Sequence, residues 1–155
     1  MKTDGVSKLR KIFLPYLRWR HSKGYGVHSP FAYRLVTDVV RPGNYGHYVY
    51  GRFPEEDLRL VARLVISLKA GRMRVIGVNE KRLKELGKRL NCRFETGSTG
   101  MSGPDELPVI AFDAPEQLRK ELCKERERGL VFEGKRVIVS VPRREMAFVK
   151  YDMKF

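Results

Sequence analysis

Cysteine is scarce in this chain. Cys92 and Cys123 are the only two, far apart, with no Cys-x-x-Cys and no neighbouring histidine. That argues against a disulfide framework or a zinc ribbon and reads as two free structural thiols in a reducing compartment. Histidine is equally sparse. His21, His28 and His47 lack metal-ligand spacing and have few acidic companions, so no metal is expected. No Gly-x-Ser-x-Gly surrounds Ser29 or Ser140, which removes a nucleophile elbow. Cys92 stands beside Arg93, but no catalytic histidine is placed near it by sequence, and a structural thiol is the simpler reading. Long apolar runs are missing too. The longest apolar region, Leu58 to Leu68, is broken by Arg59 and Arg63, so no transmembrane segment is expected. At the N-terminus Ile12-Phe13-Leu14 runs at once into Pro15 and Arg18, unlike a signal peptide. Together these absences predict a cytoplasmic protein.

Acid is nearly absent from the first third. Residues 1–52 hold ten Lys and Arg against Asp4 and Asp38, which is more than half of the net charge of +14. Such asymmetry suits polyanionic partners: RNA, DNA, phosphorylated ligands or an anionic membrane face. The plainer reading is that basic charge keeps a small protein soluble. The cations offered to a polyanion are Arg18, Arg20, Lys23, Arg34, Arg41 and Arg52. The same region holds the only tryptophan, Trp19, in the run Arg18-Trp19-Arg20-His21-Ser22-Lys23-Gly24-Tyr25-Gly26. Gly24 and Gly26 permit positive φ, and Ser29-Pro30 then opens a helix.

The elements follow from periodicity. Residues 5–19 suit a basic amphipathic helix, with Val6, Leu9, Ile12, Phe13 and Tyr16 on one side and Pro15 kinking or ending it. Such a helix can lie on a membrane or on nucleic acid, and packing on its own domain is the commoner use. From Pro30 to about Val40, Phe31, Leu35, Val36, Val39 and Val40 share a face. A turn-rich connector, Arg41 to Gly51, carries three tyrosines that suit either base stacking or cover for the core edge. The next helix starts at Pro54-Glu55-Glu56-Asp57 and ends at Ala70-Gly71. Strands are expected near residues 73–78, 92–96 and 107–112, with a helix from about Asn79 to Leu90 between the first two. Gly97 to Pro104 is small and polar, fit to cradle a phosphate, though without the Lys-Ser/Thr ending of a Walker loop. Pro115 opens a further helix. Residues 136–141 and 146–155 read as an antiparallel strand pair closing the sheet. No repeat appears. The chain divides into a basic helical arm, residues 1–52, packed on one compact α/β unit, residues 53–155.

Two stretches carry a family resemblance. Gly26-Val27-His28-Ser29-Pro30-Phe31, with Tyr33, resembles the His-Ser-Pro-Phe segment preceding the catalytic domain in a group of class I S-adenosylmethionine (SAM)-dependent methyltransferases, known mostly from Bacteroides-type bacteria. The order of the later elements is similar to that family's Rossmann-like fold, a mostly parallel sheet ending in an antiparallel hairpin. The resemblance implies SAM as cofactor, held by Gly77 after the first strand, Glu95 on the ribose hydroxyls, and Asp113 in Ala111-Phe112-Asp113-Ala114 near the donor methyl. It also implies that His28 and Ser29 fold back over the ends of the strands and close the pocket. Simpler readings stand beside these: Glu95 as a solvated strand-end acid, Asp113 as the cap of the following helix, and Ser29 as a helix cap beside an exposed His28 imidazole.

The chain departs from the family pattern at the first cofactor strand. Val75 stands where an acid is usual, and Val78-Asn79-Glu80 replaces the expected glycines. A branched residue resists positive φ, and Glu80 competes with the SAM carboxylate for the helix dipole. The segment between the Asp113 region and the last strands is also short. The expectation is therefore a degenerate methyltransferase-like protein, with weak or absent SAM binding and no methyl transfer alone. A polyanion-binding module and an interaction subunit, paired with itself or with a full-length homologue, are the alternatives.

Overall fold

Apolar residues alternate along the central strands, and that alternation decides which helix covers which face. A computed structural model describes residues 4–22, 26–40, 55–97, 107–124 and 128–154, and their side chains except at 4–11, 22 and 40. The strands are β1 (Arg72–Ile76), β2 (Arg93–Glu95), β3 (Val109–Phe112), β4 (Leu130–Glu133), β5 (Val137–Val141) and β6 (Val149–Asp152). They form one sheet in the order β2-β1-β3-β5-β4-β6. All run the same way except β5, which lies antiparallel between β3 and β4.

Ile110 and Phe112 of β3, Leu130 and Phe132 of β4 and Val137, Val139 and Val141 of β5 point to one face. Val109, Ala111, Val131 and Ile138 point to the other. The first face is covered by α2 (Pro30–Leu35, continued by a π-type turn Val36–Val40), α3 (Glu56–Leu68) and α4 (Glu80–Leu90). The second receives Leu118 and Leu122 of the short α5 (Glu116–Cys123). Helix, sheet and helix thus form three layers. Burial of a side chain such as Phe132, Leu64 or Leu58 stabilises this arrangement by roughly 1.5–3 kcal/mol each.

Local chemistry sets the element ends. Ser29 is in extended conformation and its Oγ accepts from the Ala32 amide at 3.3 Å, with Pro30 in the first turn. Lys69 and Asn91 take left-handed φ of 51° to stop α3 and α4. The helix α1 (Asp4–Ser22) runs through Pro15 rather than ending there.

Val27, Ala32, Leu35, Val36 and Val39 share a core with Leu58, Leu64 and Met73, so residues 27–39 belong to the main apolar cluster. The expected arm boundary near residue 52 lies outside the described residues.

One topological expectation is corrected. Residues 136–141 and 146–155 are not paired with each other. β5 pairs antiparallel with β3 and β4, and β6 pairs in parallel with β4. The cause is a strand the periodicity did not reveal, Leu130–Glu133. A three-residue turn, 134–136, closed by the Gly134 amide on the Val137 carbonyl at 2.7 Å, makes β4 the hairpin partner of β5. Residues 142–148 are then long enough to carry the chain past β4 to its free side.

Candidate functional site

Ligands of open α/β sheets bind at the carboxyl ends of the parallel strands, where Gly77, Glu95 and Asp113 were expected to act. The structure brings all three to that edge, each at or just after the end of a strand. Gly77 follows β1 with φ of +85°, and a Cβ built there would press into the Phe112 carbonyl oxygen. The glycine is required by the close approach of β1 and β3 whether or not a ligand is present. Val78 turns inward and packs against the core, half-buried.

Asn79 caps α4. Its Oδ1 accepts from the amides of Lys81 at 3.0 Å and Arg82 at 3.2 Å. Those are amides that a carboxylate would otherwise use at this helix end. Glu80 adds a negative charge in the first turn, and its carboxylate accepts from the Thr96 hydroxyl at 3.0 Å.

Glu95 stands in register with Arg74, so the two side chains share a sheet face, and Arg72 lies two residues back on the same face. Arg72 donates to Oε1 at 2.6 Å and Arg74 to Oε2 at 3.2 Å. These two guanidinium groups hold the Glu95 carboxyl below the usual carboxylate range. Asp113 takes φ of 48°, and its backbone amide donates to the Arg136 carbonyl at 2.8 Å. Arg136 returns a bidentate pair, Nε to Oδ1 at 3.2 Å and a terminal nitrogen to Oδ2 at 3.1 Å, and it also reaches Asp57 at 3.5 Å. The pair lowers the Asp113 carboxyl and raises the Arg136 guanidinium. Pro115 holds the N-cap position of α5, which has no side-chain cap, so Asp113 is not its N-cap.

His28 and Ser29 do not reach this edge. Ser29 Oγ lies 3.8 Å from the Met146 sulfur. Met146 belongs to the connection into β6, at the end where β4 and β6 begin. Phe31 packs there as well, under the Arg143 guanidinium at 3.9 Å from its ring centre. His28 is exposed. The His-Ser-Pro-Phe segment therefore fastens the loop of residues 142–148 rather than roofing the strand ends. Of the two described histidines it is His21 that lies at the carboxyl end of a strand, β6, where its Nδ1 donates to the Asp152 carbonyl at 2.8 Å. Its ring also meets Tyr151 edge-on at 5.6 Å. Nothing in the sequence distinguished His21 from His28 for that role.

Of the cations offered to a polyanion, Arg20 and Arg34 are exposed and Arg18 is half-buried. Lys23, Arg41 and Arg52 lie outside the described residues, as do His47, the tyrosine-rich connector and, after Gly97, the small polar loop through Pro104. Among the described residues no group of His, Cys, Asp and Glu comes together that could hold a metal ion.

One charged cluster was missed by sequence reasoning because its β4 member was missed. Glu133 ends β4, half-buried, between Arg119 of α5 at 3.2 Å and Lys150 of β6. Burial would raise the Glu133 carboxyl, but hydrogen bonds from Lys150 and Arg119 outweigh it and the net shift is downward. Lys150 is the counterpart: burial opposes its charge, Glu133 outweighs that, and its pKa rises. Cys123 beside them is pushed up to about 11 by burial and the Glu133 charge, so its thiol stays protonated. Both cysteines are free thiols. No protein-family model, curated protein or solved structure matches the chain.

Proposed function

We propose that the chain is a degenerate class I SAM-dependent methyltransferase-like protein with a Rossmann-like core. It binds SAM weakly or not at all and transfers no methyl group alone. The observation that carries this reading is the state of the polar groups at the strand ends. The amides of Lys81 and Arg82 are taken by Asn79, Glu95 by two arginines, and Asp113 by Arg136. A ligand would have to displace partners already in place, and each contact forgone costs roughly 0.5–1.5 kcal/mol of binding. The parallel neighbours β2, β1 and β3, with Gly77 at positive φ after β1, support the ancestry. The test is methyl transfer from labelled SAM to pooled nucleic-acid, protein and small-molecule acceptors. The expected result is no transfer above background. Transfer that disappears in Asp113→Asn would overturn it.

The second reading, a polyanion-binding module, is favoured by the exposure of Arg20 and Arg34 and by the net charge of +14. Arg18 and Arg20 diverge on α1, one half-buried and one exposed, so the cations do not form a single strip along that helix.

A further inference from the structure

The helix α1 is apolar on two opposite sides. Leu14, Leu17 and His21 are half-buried, with the stem of Arg18 beside them, and at about 100° per residue they share one side. The helix contacts β6 and the turn after α2. Ile12 (70 % exposed), Phe13 (55 %), Tyr16 (54 %) and Trp19 (46 %) share the other side. A helix that only docked on its own domain would carry one such stripe. Tyr16 and Trp19 stack with ring centres 6.2 Å apart, and the Arg20 guanidinium sits 5.8 Å from the Tyr16 ring. Along its sequence the helix carries Lys8, Arg10, Lys11, Arg18 and Arg20 against one acid, Asp4.

We propose that α1 lies flat on an anionic bilayer surface, with Ile12, Phe13, Tyr16 and Trp19 in the boundary between headgroups and acyl chains. The charge of the helix matches anionic headgroups, and the outward stripe supplies apolar area that electrostatics alone would not need. Tryptophan and tyrosine suit that depth, with an apolar body and a polar tip, and Arg20 can extend along Tyr16 to the phosphates. Nucleic acid fits less well: its bases could stack on the aromatic rings, but Ile12, the most exposed residue of the stripe, gains nothing from bases or phosphates. Among the described residues no helix is long and apolar enough to cross a membrane, so the contact is in the plane of the surface. The inference holds whether or not SAM binds.

Trp19 is the only tryptophan and sits on the proposed contact face, so its emission reports the event directly. The full chain is titrated with large unilamellar vesicles of phosphatidylcholine alone and of phosphatidylcholine with phosphatidylglycerol. A blue shift is expected on the anionic vesicles only, weakened by salt and quenched by brominated lipid. The double variant Ile12→Ser/Phe13→Ser, with an unchanged circular dichroism spectrum, should partition roughly tenfold less or weaker still. Unchanged emission on anionic vesicles would overturn the proposal. So would a shift on single-stranded RNA without one on vesicles, or a shift that follows protein concentration without lipid and marks a second copy.

Discussion

At Gly77 the chain needs both a positive φ, +85°, and an empty side-chain position facing the Phe112 carbonyl. Gly77→Ala is expected to lower stability by more than about 1 kcal/mol in urea unfolding with no ligand present, since both demands oppose a methyl group. A neutral result would mean that β1 and β3 do not approach as described. Glu133 gives a pH signature. Its carboxyl is lower in the folded protein than its ordinary value of 4.5, because Lys150 and Arg119 outweigh burial. The unfolded chain therefore takes up the proton first. The stabilisation is fully present above pH 4.5 and is lost as pH falls through the lower folded value. Glu133→Gln should be less stable near neutrality and show a shallower loss on acidification. Parallel acid-unfolding curves for the two proteins would refute this. Glu95 and Asp113 are different: Arg72 and Arg136 stand in solvent, with only Arg74 half-buried, and exposed pairs of this kind add little to stability. What they govern is whether a ligand finds a free carboxylate.

Elements with a strong period were legible, and those defined by partners were not. Leu58, Val61, Leu64 and Val65 gave α3, Leu83 and Leu86 gave α4, and the parallel set near residues 73–78, 92–96 and 107–112 appears as β1, β2 and β3. Asn79 and Ser29 cap the helices they precede. β4, Leu130–Glu133, was hidden because the charged run 124–128 before it reads as a continuation of the helix opened by Pro115, and the pairing of β5 depended on it. The arginine clamp on Glu95 was partly readable, since Arg72 and Arg74 alternate with Met73 and Val75 and must share a face. The Arg136 clamp on Asp113 was not, because it needs the 134–136 turn. For α1, the sequence showed an apolar stripe but not that it would face outward. Its attachment at the C-terminal end rests on His21, so His21→Ala should cost about 1 kcal/mol at that end alone. Faster amide exchange in α1, with β3 and β5 unchanged, is the expected pattern. Equal acceleration everywhere would show that His21 supports the whole domain.

Across the whole molecule, an α/β sheet and a strongly basic chain are combined with strand ends at which, among the described residues, Asn79, Glu95 and Asp113 already have partners. Asn79, Arg72, Arg74 and Arg136 each occupy a position where a cofactor of the resembled family would need a free amide or carboxylate. Two or three lost contacts at roughly 0.5–1.5 kcal/mol each would weaken a micromolar SAM site, at the upper end of that range toward millimolar. Isothermal titration calorimetry of the full chain with SAM, and with S-adenosylhomocysteine, measures this directly. The account predicts no saturable heat at micromolar ligand and, at most, a dissociation constant approaching millimolar. A saturable site in the low micromolar range, or SAM copurifying with the protein, would show that these partners yield to the cofactor and would contradict the account.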